Sequence, residues 1–238
     1  MPKLMTAQTI KGFFYMQTSL NIVEKTIELI KTKFTDEYSG HDIWHILRVR
    51  NTALEIHKYE GGNKFIIEMA ALLHDIADAK FYNGDINIGA KKTIEWLNNF
   101  DINENDKLHI ADIVKNISFK GKAEKNQSLS LEGQIVQDAD RLDAIGAIGI
   151  ARVFAYSGAS GRLIYDPTEQ PIKNHTTESY FKNKNTAINH FYEKLLLLKD
   201  LMNTNKGKHL AEIRHNFMLS YLEQFYSEIG DLSTFNKI

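Results

Sequence analysis

The chain contains no cysteine. Disulfides, thiolate metal sites and cysteine nucleophiles are therefore excluded, and a reducing, cytoplasmic location is expected. Proline is almost absent as well. Only Pro2, Pro167 and Pro171 occur, so long helices are permitted nearly everywhere. No apolar run approaches the roughly 18 residues of a membrane-spanning helix, so no membrane partner is expected. The apolar stretch Gly12-Phe13-Phe14-Tyr15-Met16 is too short for a secretion signal. Neither charge sign dominates: 29 basic residues face 30 acidic ones, for a net charge of −1. That balance supplies no whole-protein attraction to nucleic acid or to anionic lipid. Internal repeats, low-complexity segments and alternating strand patterns are also missing.

What remains is an ordinary globular composition, 43% hydrophobic and 25% charged over 238 residues. That is enough chain for one domain with a large core. Hydrophobic periodicity predicts helices over about 19–34, 41–60, 64–79, 86–99, 105–117, 129–142, 143–156, 178–203 and 206–229. The expected fold class is all-α: a single helical bundle over 19–230, with an N-terminal extension at 1–18 and a tail at 231–238. Residues 156–178 hold Gly158, Gly161, Pro167 and Pro171. A loop this long in a helical domain reads as a lid or as a surface connection.

Four groups of side chains carry chemistry. His41, His45 and Arg48 share one face of a helix by their spacing. His74-Asp75 ends a helix that is apolar on nearly every face, Phe65 to Leu73. A carboxylate delivered there is costly unless it is paired, hydrogen-bonded or bound to a metal. Asp78 lies near the same face, and Lys80 follows. A third group, Asp138-Ala139-Asp140-Arg141-Leu142-Asp143, enters a helix otherwise made of small and apolar residues. Burying so many charges calls for a cation or an ion-pair network. By spacing alone Asp138 and Asp140 stand equal as ligands. The fourth group is basic and suited to phosphate: Lys120 and Lys122 after Ser118, then Arg152 and Lys194. Arg48 suits bidentate phosphate contact, with a structural ion pair to Asp143 as the less favoured reading.

The ordered set His-Asp-x-x-His-x-x-Arg-Val at 41–49, His-Asp-Ile-Ala-Asp-Ala-Lys at 74–80 and Asp-Ala-Asp-Arg-Leu-Asp-Ala-Ile-Gly-Ala-Ile-Gly at 138–149 resembles the HD-domain metal-dependent phosphohydrolase superfamily. Within it, the sequence is similar to the bacterial YpgQ-like branch, which is associated with nucleoside triphosphate pyrophosphohydrolase activity. The resemblance covers roughly residues 20–228. It implies metal ligation by His45, His74, Asp75 and Asp140, which leaves Asp138 as a helix-start or supporting group and His41 as an orienting one. It departs from the monophosphatases of the superfamily in carrying Asp78 where they often have glutamate. Binuclear members use further histidines between the His-Asp pair and the last aspartate. Only His109 lies in that interval, so one metal ion is expected.

Two imidazoles and two carboxylates suit Mn²⁺, Co²⁺, Ni²⁺ or Zn²⁺ and admit Mg²⁺, with Mn²⁺ favoured. The implied reaction is direct attack of water on a nucleotide phosphate. Asp78 serves as the water-orienting or proton-accepting group. Arg48 and Lys80 stabilise the shifting charge, and Ser118, Lys122, Asp143, Arg152 and Lys194 stand as further substrate contacts. The expected substrate is a (deoxy)nucleoside triphosphate. A 5′-nucleotidase or other HD-type nucleotide phosphatase or phosphodiesterase, a non-catalytic nucleotide or metal sensor, and a helical scaffold with internal salt bridges are the alternatives. A homodimer is compatible with the aromatic N-terminal segment and the long C-terminal helices.

Overall fold

The computed structural model describes residues 7–34, 42–77, 82, 84–117, 129–172 and 185–230, with side chains from residue 19 onward. Among these there are nine α-helices, one 3₁₀ helix and no strand. In order they are α1 (Ala7–Lys33), α2 (Ile43–Glu60), α3 (Lys64–Leu73), α4 (Ile88–Leu97), α5 (Glu104–Asn116), α6 (Leu131–Asp143), α7 (Gly146–Ala159), α8 (Ala187–Glu193), the 3₁₀ helix (Leu195–Leu201) and α9 (Asn205–Ile229). The all-α expectation is met.

The centre of the bundle is α3. Asn63 caps it, and every residue from Phe65 to Leu73 is buried. A helix with no polar face must be enclosed, and α1, α2, α5 and α6 pack around this one. Its one buried carboxylate, Glu68, is met by the Nε of Arg50 at 2.8 Å, with a second contact from Arg50 Nη2. The neighbours present ordinary amphipathic stripes. On α2 the buried residues are His45, Ile46, Val49, Ala53 and Ile56, one face at the 3.6-residue period.

Several boundaries differ from the sequence expectation for local reasons. Helix α1 starts at Ala7, well before residue 19, because nothing in 7–18 except Gly12 opposes a helix. Helix α3 stops at Leu73 instead of reaching 79, and Ile76 N turns back to Leu73 O at 3.0 Å in a tighter turn. The helix expected over 178–203 is interrupted at Lys194 (φ −139°, ψ −58°). Beyond it, buried Leu195 and Leu198 recur every three residues, the period at which a 3₁₀ helix stacks side chains.

The described part of the 156–178 loop is fastened down. Ala187 N and Ile188 N donate to Leu163 O and Ile164 O at 3.0 Å each, and Ile172 N donates to Glu193 Oε1 at 2.9 Å. Tyr165 sits edge-on to Phe225 and Tyr226, with ring centroids 5.9 Å apart in both pairs. Residues 173–184 lie outside the described residues. No single described helix is long and apolar enough to cross a membrane.

Candidate metal centre

Three helices deliver the site. Asp42 caps α2, accepting from His45 N at 2.8 Å, and so places His45 in the first turn. The end of α3 presents His74 and Asp75, and the last turns of α6 present Asp140 and Asp143. The pairing of α2 with α6 is one of the most extensive in the bundle, which brings residues 45 and 140 together.

His45, His74 and Asp140 bring candidate ligand atoms within 4.8 Å of one another, and Asp75 adds a carboxylate beside the two rings. His45 Nε2 lies 3.2 Å from His74 Nε2, 3.5 Å from Asp75 Oδ2 and 3.6 Å from Asp140 Oδ1. His74 Nε2 lies 3.5 Å from Asp75 Oδ2 and 3.8 Å from Asp140 Oδ1. The other nitrogen of each ring is already committed. His45 Nδ1 donates to Asp143 Oδ2 at 2.7 Å, and His74 Nδ1 donates to Ala71 O at 2.8 Å. A neutral imidazole with its proton on Nδ1 has a bare lone pair on Nε2. The two Nε2 atoms and two carboxylate oxygens therefore crowd together, an electron-rich arrangement that attracts a cation, whether a proton or a metal ion.

The spacing of His45, His74 and Asp140 suits a divalent ion in size as well as charge. At a metal–nitrogen distance of about 2.1 Å, neighbouring ligand atoms stand about 3.0 Å apart at a right angle and about 3.4 Å apart at the tetrahedral angle. The observed contacts start in that range. His45 and His74 are buried, whereas the Asp75 and Asp140 side chains are 32% and 33% exposed, so the cluster opens on its carboxylate side. Burial opposes charge on His45. The hydrogen bonds to Asp143 and Asp75 and the charge of Asp140 outweigh it, and in the absence of a metal they lift its pKa to about 9. The cluster thus draws in positive charge.

Behind His45 stands Asp143, whose side chain is 5% exposed. Arg48 binds it in a fork, Nε to Oδ1 at 2.7 Å and Nη2 to Oδ2 at 3.1 Å, and Arg152 Nη1 reaches Oδ2 at 2.8 Å. Burial alone would raise the Asp143 pKa, but the hydrogen bonds from His45 and Arg48 hold it well below the usual carboxylate range. Asp143 is thus placed behind a ring nitrogen and under two guanidiniums.

The remaining sequence candidates divide cleanly. His45, His74, Asp75, Asp140, Asp143, Arg48 and Arg152 are brought together. Lys194 sits at the junction of α8 and the 3₁₀ helix. His41, Asp78, Lys80, Ser118, Lys120 and Lys122 lie outside the described residues. His109, on α5, contacts Ser130 Oγ at 2.8 Å. Asp138 points away from the cluster: fully buried, it accepts from Asn203 N, Asn203 Nδ2, Thr204 N and Thr204 Oγ1 at 2.7–2.9 Å. The partnership of Asp138 with Asn203 and Thr204 has no local sequence signal. Only the capping preference of Thr204 hints at it, through the start of α9.

Comparison with known proteins agrees with this geometry. The HD domain family profile matches residues 43–145, a span that contains His45, His74, Asp75 and Asp140. YpgQ from Bacillus subtilis is 39% identical over 202 residues, 84% of this chain and 90% of that protein. An HD-superfamily hydrolase from Bacillus thuringiensis superposes with a TM-score of 0.71 at 47% identity, covering 89% of this chain and 98% of its own. Bacillus subtilis YpgQ in complex with ADP superposes with a TM-score of 0.73 at 36% identity, covering 91% and 99%.

Proposed function

This chain belongs to the HD-domain family of metal-dependent phosphohydrolases, and on that premise we propose that it hydrolyses (deoxy)nucleoside triphosphates to monophosphate and pyrophosphate. The observation that carries the chemistry is the pair of imidazole Nε2 atoms 3.2 Å apart, flanked by the partly exposed carboxylates of Asp75 and Asp140. The choice of a nucleotide draws support from the relative crystallised with ADP. The choice of the α–β bond rests on the similarity to that branch of the family.

On this reading His45, His74, Asp75 and Asp140 hold one divalent ion, with Mn²⁺ preferred. When bound, such an ion polarises a phosphate oxygen and makes water easier to deprotonate. Asp78 orients the attacking water or takes its proton, and because water itself is the nucleophile no covalent intermediate forms. The partly exposed guanidiniums of Arg48 and Arg152 and the ammonium of Lys80 hold phosphate charge as it moves to the leaving group.

The test is a screen of Mn²⁺-loaded protein over nucleotides with pyrophosphate and orthophosphate resolved. Pyrophosphate release from a triphosphate is expected. Orthophosphate alone, released from monophosphates, would reassign the protein as a 5′-nucleotidase. Asp140→Asn is expected to lose ion and turnover together, while Asp78→Asn keeps the ion and loses turnover. Full activity of Asp78→Asn would remove its proton-transfer role.

A further inference from the structure

Asp143 has more donors than one of its oxygens can serve. Three point at Oδ2: His45 Nδ1 at 2.7 Å, Arg152 Nη1 at 2.8 Å and Arg48 Nη2 at 3.1 Å. A carboxylate oxygen offers about two lone pairs, so these donors compete. Two guanidinium charges stand against one carboxylate, which leaves a net positive charge beside the metal ligands. The exposures are graded: the Asp143 side chain is 5% exposed, Arg152 21% and Arg48 33%. The carboxylate is the floor of the arrangement, and the arginines form its outer rim. Among the described residues, Arg48 Nη1 and Arg152 Nη2 make no hydrogen bond, so each rim side chain keeps donors to spare.

We infer that Asp143 is a positioning residue through which Arg48 and Arg152 set how strongly His45 donates to a metal. An imidazole whose N–H is bonded to a fully charged carboxylate is the stronger ligand at its other nitrogen. Each guanidinium that shares Oδ2 draws that negative charge away and weakens the effect. A phosphate group that engages the outward donors of the two arginines returns the carboxylate to His45. Substrate binding thereby tightens the grip on the ion, a coupling that is reciprocal by necessity. This last step rests on the phosphohydrolase reading above; the control of His45 through Asp143 does not.

The test uses the full chain and Mn²⁺ alone, with free ion followed by electron paramagnetic resonance and folding checked by circular dichroism. Asp143→Asn is expected to weaken Mn²⁺ binding by about 10- to 100-fold. Arg152→Gln removes one competitor for Oδ2 and is expected to tighten it by about 3- to 10-fold. Damage to a merely structural residue would move affinity the other way. Unchanged or weaker binding in folded Arg152→Gln overturns the inference. So does tightening of the same size in the Asp143→Asn background, since that would assign the effect to direct repulsion between guanidinium and ion. If Asp143→Asn does not fold, the His45 Nδ1–H proton resonance of the Zn²⁺-loaded protein decides. It should shift downfield in Arg152→Gln, and an unmoved resonance refutes the mechanism. None of these readouts involves turnover, so a negative nucleotide screen and a failure here are separate results.

Discussion

Replacing Asp138 by asparagine, its nearest isostere, should destabilise the protein by about 3 kcal/mol, and the hydrogen-bond pattern shows why. Both oxygens of Asp138 accept hydrogen bonds. Oδ1 takes Asn203 N at 2.8 Å and Asn203 Nδ2 at 2.9 Å, and Oδ2 takes Thr204 N at 2.8 Å and Thr204 Oγ1 at 2.7 Å. The Thr204 hydroxyl in turn accepts from Gly207 N at 3.0 Å, so its proton is directed to Asp138. Asparagine has one accepting end. With its amide nitrogen at the Oδ2 position, Thr204 N–H loses its partner. With the amide flipped, an N–H group faces the Asn203 donors, which fall back on the longer contact of Asn203 N to Oδ2 at 3.1 Å and on Gln137 Oε1 at 3.0 Å. Asp138 is 0% exposed and Thr204 4%, so water does not compensate easily. Each orphaned buried donor costs about 1–3 kcal/mol, more when a charged acceptor is lost. At this chain length that corresponds to a fall in Tm of about 6–12 °C. Urea unfolding of chelator-treated protein, followed by far-ultraviolet circular dichroism, measures it without a contribution from bound metal. A loss below about 0.5 kcal/mol at unchanged m-value would refute the assignment of Asp138 as an acceptor-only clamp between α6 and α9.

The same corner yields a second prediction. A Cβ on Gly207 would lie 2.4 Å from Asp138 Oδ2 and 2.7 Å from Thr204 Oγ1, so Gly207→Ala should cost about 1–3 kcal/mol by overpacking; an unchanged Tm in a thermal scan would contradict the packing. Arg50→Ala strands the carboxylate of Glu68, 9% exposed in its side chain, and should cost about 3 kcal/mol in urea unfolding. The double variant Arg50→Met/Glu68→Leu should recover most of that loss, and no recovery would mean that packing rather than unpaired charge sets the cost. Mn²⁺ at about 100 times its Kd should raise stability by about 2.7 kcal/mol. The rise should vanish in Asp140→Asn, and a thermal shift that survives there would place the ion elsewhere.

Much of the molecule was legible before any coordinates. The helical class followed from scarce proline and 3.6-residue periodicity, and the burial of α3 followed from a stretch that is apolar on every side. His45, His74, Asp75 and Asp140 were legible as a family pattern, and their convergence is what the bundle then supplies. Local composition carries such features because helix formation and capping depend on residues within a turn or two of each other. The fates of Asp138 and Asp143 were of another kind. Spacing along α6 left Asp138 level with Asp140 as a ligand and left Arg48 open between phosphate and an ion pair with Asp143. Packing turned Asp138 toward Asn203 and Thr204 on the far side of the helix, and placed Asp143 between His45 and two arginines from different elements. A side chain's periodicity says which face of its own helix it occupies. Which neighbour that face meets depends on how α2, α6, α7 and α9 stack, a long-range outcome of filling one core, and only the tertiary structure decides it.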